Sequence, residues 1–220
     1  GPLYVLDASG VSVYGQVGGR DLPLAWAGGL GGEGEHRFGA DRSSRDTVFT
    51  AVDFAGPSLG RVGGGDSLDV AAPTAGLTRL LDIEANDLQL PNDDQLTAWR
   101  GTEGDMLPGF PQVVSDMAFF VSPAIADVDA DGRHDVVAGN GLYTLEARAA
   151  DGTAPPGWPK LTGGWLVGTP GFGDLDGDRR AEVAVVRRDG VLFVWETPLA
   201  SSGLTEWPRF GGDGANTGSR

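Results

Sequence analysis

The chain has 220 residues, a formal net charge of −15, no cysteine, 40 % apolar residues and six tryptophans, which is too apolar for a disordered chain despite 37 glycines and 14 prolines. The acid excess excludes a nucleic-acid surface as the default partner, because phosphate contacts need clustered basic groups, and no apolar run approaches the ~18 residues of a membrane span. Without cysteine there is no disulfide scaffold, no thiolate metal site and no thiol chemistry.

In chain order, Gly1-Pro2-Leu3-Tyr4-Val5-Leu6-Asp7 reads as a strand running into a turn, with no signal-peptide pattern. It predicts an incomplete unit over 1–27, as in an excised or processed piece. Residues 28–46, glycine-rich and charged, predict a flexible connecting loop.

From there the sequence repeats, and repeats take precedence over local readings. Ser122-Pro123-Ala124-Ile125-Ala126-Asp127 returns as Thr169-Pro170-Gly171-Phe172-Gly173-Asp174, with Asp127 and Asp174 separated by 47 residues. A weaker copy begins at Gly56-Pro57-Ser58-Leu59-Gly60-Arg61. Each copy enters an apolar run: Asp69-Val70-Ala71-Ala72, Asp135-Val136-Val137-Ala138, and Glu182-Val183-Ala184-Val185-Val186. A second alternating run follows: Leu96-Thr97-Ala98-Trp99, Leu142-Tyr143-Thr144-Leu145 and Leu192-Phe193-Val194-Trp195; Leu3-Tyr4-Val5-Leu6 is a fourth example. An aromatic-proline pair leads to a final strand in each: Phe110-Pro111, Trp158-Pro159, Trp207-Pro208.

Short alternating runs punctuated by Gly, Asp and Pro predict antiparallel all-β structure, and a four-stranded unit at this period predicts a β-propeller blade. The expected division is an incomplete blade over 1–27, a loop over 28–46, a blade over 47–116, a blade over 117–163, and a last blade with closing tail over 164–218. That makes about three and a half blades, where closed propellers have typically 4–8. The first full copy is longer than the others, and Leu77, Leu80, Leu81 and Leu88 fall at helical spacing, so a short helix is expected within 75–95.

The acidic turns carry the chemistry. Asp127, Asp129, Asp131 and Asp135 stand at relative positions 1, 3, 5 and 9, Gly132 permits a sharp turn at position 6, and Arg133 at position 7 offers a backbone carbonyl. Asp174, Asp176, Asp178, Arg180 and Glu182 repeat the pattern, with Arg179 in place of the glycine. Alternating carboxylates converging in a tight turn suit a hard cation such as Ca²⁺, held structurally. An EF-hand is excluded because position 12 is Ala138 or Val185, inside a strand. In the weak copy Arg61, Gly63 and Gly65 replace three acids and only Asp69 remains, so no metal is expected there.

Two catalytic patterns are decoys. Gly56-Pro57-Ser58-Leu59-Gly60 matches a nucleophile elbow, but Ser58 aligns with Ala124 and Gly171, positions that require only a small side chain. Gly29-Leu30-Gly31-Gly32-Glu33-Gly34 has no βαβ setting, and Glu33 would repel a phosphate. His36 and His134 have no nucleophile companion. Trp99, Trp195, Trp158 and Trp207 read as packing residues. Trp26 and Trp165 are the least constrained, and an exposed tryptophan can stack on a sugar ring.

At these turns the sequence resembles FG-GAP/VCBS-type repeats, the calcium-loop blades of the integrin α-chain propeller and of bacterial secreted proteins. Phe172-Gly173-Asp174-Leu175-Asp176-Gly177-Asp178 is similar to the start of that repeat, Val70-Ala71-Ala72-Pro73 to its end, and Trp207-Pro208-Arg209-Phe210 with Asp213, Asn216 and Gly218 to the segment closing such arrays. The resemblance spans roughly 47–218. It implies an extracellular, seven-bladed, calcium-stabilised propeller used for binding. With no catalytic constellation among the residues, the expectation is a secreted or cell-surface module that is not an enzyme, binds a protein or carbohydrate ligand, and works beside the remaining blades or an upstream domain of the same protein. A second reading makes it the C-terminal accessory propeller of a secreted hydrolase, a subtilisin-like peptidase or polysaccharide lyase, with catalytic residues outside this chain.

Overall fold

A computed structural model describes residues 3–17, 19–21, 50–52, 56–76, 94–114, 121–203, 205–213, 215 and 217. The described elements are all strands: β1 (Gln16–Val17), β2 (Arg20–Asp21), β3 (Thr50–Val52), β4 (Ser58–Gly60), β5 (Asp69–Gly76), β6 (Asp94–Arg100), β7 (Gln112–Val114), β8 (Ala124–Ala126), β9 (Asp135–Gly139), β10 (Thr144–Arg148), β11 (Lys160–Leu161), β12 (Gly171–Gly173), β13 (Arg180–Val186), β14 (Leu192–Ala200) and β15 (Thr205–Trp207). They form three antiparallel sheets of three to five strands and the two-stranded ribbon β1-β2. The described residues contain no closed ring.

Three strand pairs share a common register. Ser58 pairs with Ala71, Ala124 with Val137 and Gly171 with Ala184, so each inner strand meets its second strand at the same position of the unit. The third strands keep step: Ala71 faces Ala98, Val137 faces Ala147 and Ala184 faces Val194. Register is fixed this firmly because a slip by one residue would turn every apolar side chain to the other face. The valine-rich second strands, Asp135–Gly139 and Arg180–Val186, suit a pleated surface whose branched side chains pack against neighbours.

The sheets pack face to face in sequence order. Leu96 and Ala98 of the first sheet share a core with Ile125, Val136 and Ala138 of the second. On the other face of the second sheet, Val137, Leu145 and Ala147 share a core with Val183 and Val185 of the third, with Phe172 and Trp195 packed against it. The segment around Leu3 and Val5 covers the outer face of the first sheet, against Val70, Ala72 and the fully buried Trp99. These buried side chains supply the main favourable term, about 1.5–3 kcal/mol for each fully buried Val, Leu or Ile.

Three expectations need correction or fall elsewhere. The third-strand run of the middle unit starts at Thr144, so Leu145-Glu146-Ala147-Arg148, and not Leu142-Tyr143-Thr144-Leu145, matches Leu192-Phe193-Val194-Trp195. The cause is a turn closed by Asn140, whose Oδ1 accepts the amides of Leu142 (3.0 Å) and Thr144 (3.3 Å) while Tyr143 takes φ 80°. Phe110-Pro111 and Trp158-Pro159 do lead into the outer strands β7 and β11, but Trp207-Pro208 does not supply a fourth strand to the third sheet. Its strand, β15, pairs instead with the free edge of β8, Trp207 opposite Ile125, and the Phe172 amide donates to the Pro208 carbonyl at 2.8 Å. Of the helix expected within 75–95, residues 77–93 lie outside the described residues, while Ala75 and Gly76 end β5 and Asp94 and Gln95 begin β6. The loop over 28–46 also lies outside them.

Candidate metal centre

Each acidic turn joins an inner strand to the second strand of its sheet, so the pairing of those strands aims the turn. In the first turn, Asp127 accepts the amides of Asp131 (3.0 Å) and Gly132 (2.9 Å), Asp129 accepts that of Asp131 (3.2 Å), and Asp131 that of Arg133 (2.8 Å). The second turn follows the same ladder with one rung moved: Asp174 takes Gly177 (2.7 Å), one position earlier than in the first turn, and Arg179 (3.0 Å), while Asp176 takes Asp178 (3.0 Å) and Asp178 takes Arg180 (2.8 Å). The acid at position 9 reaches back across the turn in both copies, Asp135 to the Val128 amide (3.0 Å) and Glu182 to the Leu175 amide (2.6 Å).

The result is two carboxylate clusters. Oxygens of Asp127, Asp129 and Asp135 lie within 4.8 Å of one another, and so do those of Asp174, Asp176 and Glu182. Asp127 and Asp135 are buried and Asp129 half-buried; in the second cluster Glu182 is buried and the two aspartates are exposed. Asp131 and Asp178 stand at the rim of their turns, each spent on the amide two residues on. The guanidinium groups of Arg133 and Arg180 lie 3.9 Å from the Asp131 carboxylate and 2.6 Å from the Glu196 carboxylate.

Both turns need left-handed backbone at positions 4 and 6. The first uses Ala130 (φ 61°) and Gly132 (φ 89°), the second Gly177 (φ 83°) and Arg179 (φ 76°). Glycine tolerates this region freely and alanine or arginine does not, so each turn carries one strained residue, at opposite positions.

Burial sets the electrostatics of the first cluster. It pushes the Asp135 carboxyl up to about 7, with the charges of Asp129, Asp127 and Asp131 adding to the shift and the Val128 amide opposing it. Burial also raises Asp129, again helped by Asp131 and Asp127. Three carboxyls held this close favour either a proton or a cation among them. Their oxygens are hard donors of the type that Ca²⁺ and Mg²⁺ take, and the residues present fit such an ion.

The third turn is organised differently. Asp69 still accepts an amide, from Gly63 at 2.7 Å, and burial raises its carboxyl while Arg100 opposes the rise. Arg61, at position 1, sends its guanidinium to the Glu206 carboxylate at 2.9 Å and to the Asp66 carbonyl at 3.3 Å. The Glu206 partner carried no signal in the sequence beyond an acid next to the Trp207-Pro208 pair. The reach of the position-9 acids was foreshadowed by Asp69, Asp135 and Glu182 recurring at one place.

Ser58 is fully buried, and its hydroxyl donates to the Pro123 carbonyl, tying β4 to the lead-in of β8. His134 is buried as well. Trp165 is half-buried with the Arg188 guanidinium 5.0 Å from its ring centre; Trp26, His36 and Gly29–Gly34 lie outside the described residues. No family model matches the chain, and no curated protein does.

Proposed function

We propose that this chain is a calcium-stabilised β-propeller module of the FG-GAP/VCBS type, acting outside the cell to bind a protein or carbohydrate ligand and not as an enzyme. The observation that carries the reading is the pair of acidic turns, with similar hydrogen-bond ladders and three converging carboxylates each, at the same place in two sheets of common register. Asp127, Asp129 and Asp135 would hold one ion and Asp174, Asp176 and Glu182 the other, with the backbone carbonyls of Arg133 and Arg180, and Asp131 and Asp178 at the rim, as the further oxygens. Bound Ca²⁺ would supply charge neutralisation that locks the turns, with affinity about 10⁻⁴ to 10⁻³ M as in extracellular modules. Support for the non-catalytic side comes from Ser58, whose hydroxyl is committed to a carbonyl in the interior.

Calorimetric titration with CaCl₂ tests it, paired with melting curves in calcium and in chelator. The expected result is saturable heat at two sites and a higher melting temperature with calcium. Absence of both heat and stabilisation would remove the reading.

A further inference from the structure

At the end of β13 remote from its acidic turn, a second turn leads into β14 and carries Arg187, Arg188 and Asp189. The run Gly163-Gly164-Trp165 lies beside it. The Arg188 amide donates to the Trp165 carbonyl at 2.7 Å, and the Val167 amide to the Val186 carbonyl at 3.0 Å, so the two runs are tied through their backbones. Together these six side chains and glycines line an open cleft of about 520 Å³, in the size range of small-ligand sites.

Its two arginines are held differently. Arg187 is fixed: Nε donates to Asp189 Oδ1 at 2.7 Å and Nη1 to the Thr162 carbonyl at 3.1 Å. Its stem lies so close to Gly164 that a methyl group there would fall 2.4 Å from Arg187 Cδ. The hydrogen bonds from Arg187 hold the Asp189 carboxyl below its ordinary value, so that group stays a charged acceptor. Arg188 is exposed, with its guanidinium 5.0 Å from the ring centre of the half-buried Trp165. No carboxylate among the described residues forms an ion pair with it. In a chain of net charge −15, a guanidinium laid on an indole without a counter-ion is a place for an anion. The ring orders the planar fork, and the fork matches a carboxylate in two parallel hydrogen bonds.

We propose that this cleft binds an acidic sugar, with the carboxylate of a uronate ring on Arg188 and its hydroxyls on Asp189 and on the bare backbone of Gly163 and Gly164. A cation and a carboxylate side by side suit a ligand that carries an acid and hydroxyl donors on one small ring. A neutral sugar leaves Arg188 unused, and a phosphate dianion meets the charge of Asp189. The inference rests on the carbohydrate side of the binding reading above and not on the cation.

The full chain is titrated calorimetrically with short oligosaccharides of galacturonate, and of glucuronate alternating with N-acetylglucosamine. Chelator is present throughout, so the calcium test and this one fail separately. Salt at about 0.15 M limits repulsion from the rest of the acidic chain to about 8 Å. Saturable binding is expected for at least one of the two, weakened at least about tenfold when its carboxyls are reduced to alcohols. Arg188→Ala should cost a similar factor, and Arg188→Lys should recover only part of it, because an ammonium lacks the fork. Arg209→Ala, at an exposed arginine outside the cleft, should bind as the unaltered chain does. Melting curves verify that the variants are folded, as expected for changes at exposed side chains. Failure of both acidic oligosaccharides to bind overturns the proposal, as does binding that survives Arg188→Ala or carboxyl reduction. Equal loss from Arg209→Ala, or displacement by an equal concentration of inorganic phosphate, shows an unspecific anion surface and overturns it too. Saturable binding of the reduced, neutral oligosaccharides that Arg188→Ala leaves intact overturns this site while the carbohydrate reading stands.

Discussion

Arg61 and Glu206 lie 145 positions apart in the sequence and meet at 2.9 Å. Arg61 occupies the turn position that Asp127 and Asp174 hold in the sister units, so the first sheet has an arginine where the others place an acid. That charge receives the strand which crosses from the third sheet to the edge of β8.

Breaking the pair should loosen the tail. Glu206 is almost wholly buried while the Arg61 side chain is 44 % exposed, so removing the arginine takes an ion-pair partner from a buried carboxylate. Arg61→Ala is expected to lower unfolding free energy by about 1–3 kcal/mol, and Glu206→Gln by less, because glutamine leaves no charge behind. Urea titrations of both variants, compared with the double variant, give the coupling; equal losses from the two single changes would contradict the account.

The two carboxylate clusters should be separable. Asp127→Asn is expected to abolish calcium heat at one site and leave the other, and Asp174→Asn to do the reverse. Because Asp127 is buried and Asp174 exposed, the first substitution should also cost more of the calcium-dependent gain in melting temperature. If both sites vanish together on either change, the clusters are one coupled site.

Stability without calcium should fall as pH rises. Asp135 holds its proton up to about 7 in the folded chain, against an ordinary value of 3.8, chiefly through burial. Between those values the folded chain keeps a proton that the unfolded chain has released, so this group's contribution is full below about pH 4 and lost through about pH 7. The ceiling is about 4 kcal/mol from this one group. Calcium favours the charged carboxylate and should flatten the slope, with protons released on binding near neutral pH. Melting curves across that window, with chelator and with calcium, check it, and Asp135→Asn should remove most of the slope in chelator.

The strained turn residues offer a gain. Arg179→Gly and Ala130→Gly each place glycine at a left-handed position, φ 76° and 61°. Each should raise stability by about 0.5–1 kcal/mol, or roughly 1–4 °C in melting temperature for a chain of this size. Arg179→Gly also removes a cation beside the second cluster and should tighten its calcium binding. A lower melting temperature for both would show that the strain is relieved elsewhere.

Much of this arrangement was legible because one signal repeats at 47 residues: Asp127 and Asp174 forecast not only the turns but the strand pairing around them. Two things were not legible. Leu142-Tyr143-Thr144-Leu145 alternates as a strand should, and only the Asn140 side chain, by closing a turn on Leu142 and Thr144, moves the strand onward. The Trp207-Pro208 pair copies Trp158-Pro159 locally, yet its strand pairs with the edge of β8, a partner distant in sequence and invisible to local pattern. Nor could spacing distinguish Asp129, which joins its cluster, from Asp131, which caps the next amide.

The placement of β15 also bears on how the protein is made. The edge of β8 is paired by residues that emerge from the ribosome only after the whole third sheet. Until then the nascent middle sheet carries a bare edge, the kind of surface that templates association with other chains. Chains cut short before Thr205 should therefore be lost to aggregation even where every strand from β1 to β14 is in place.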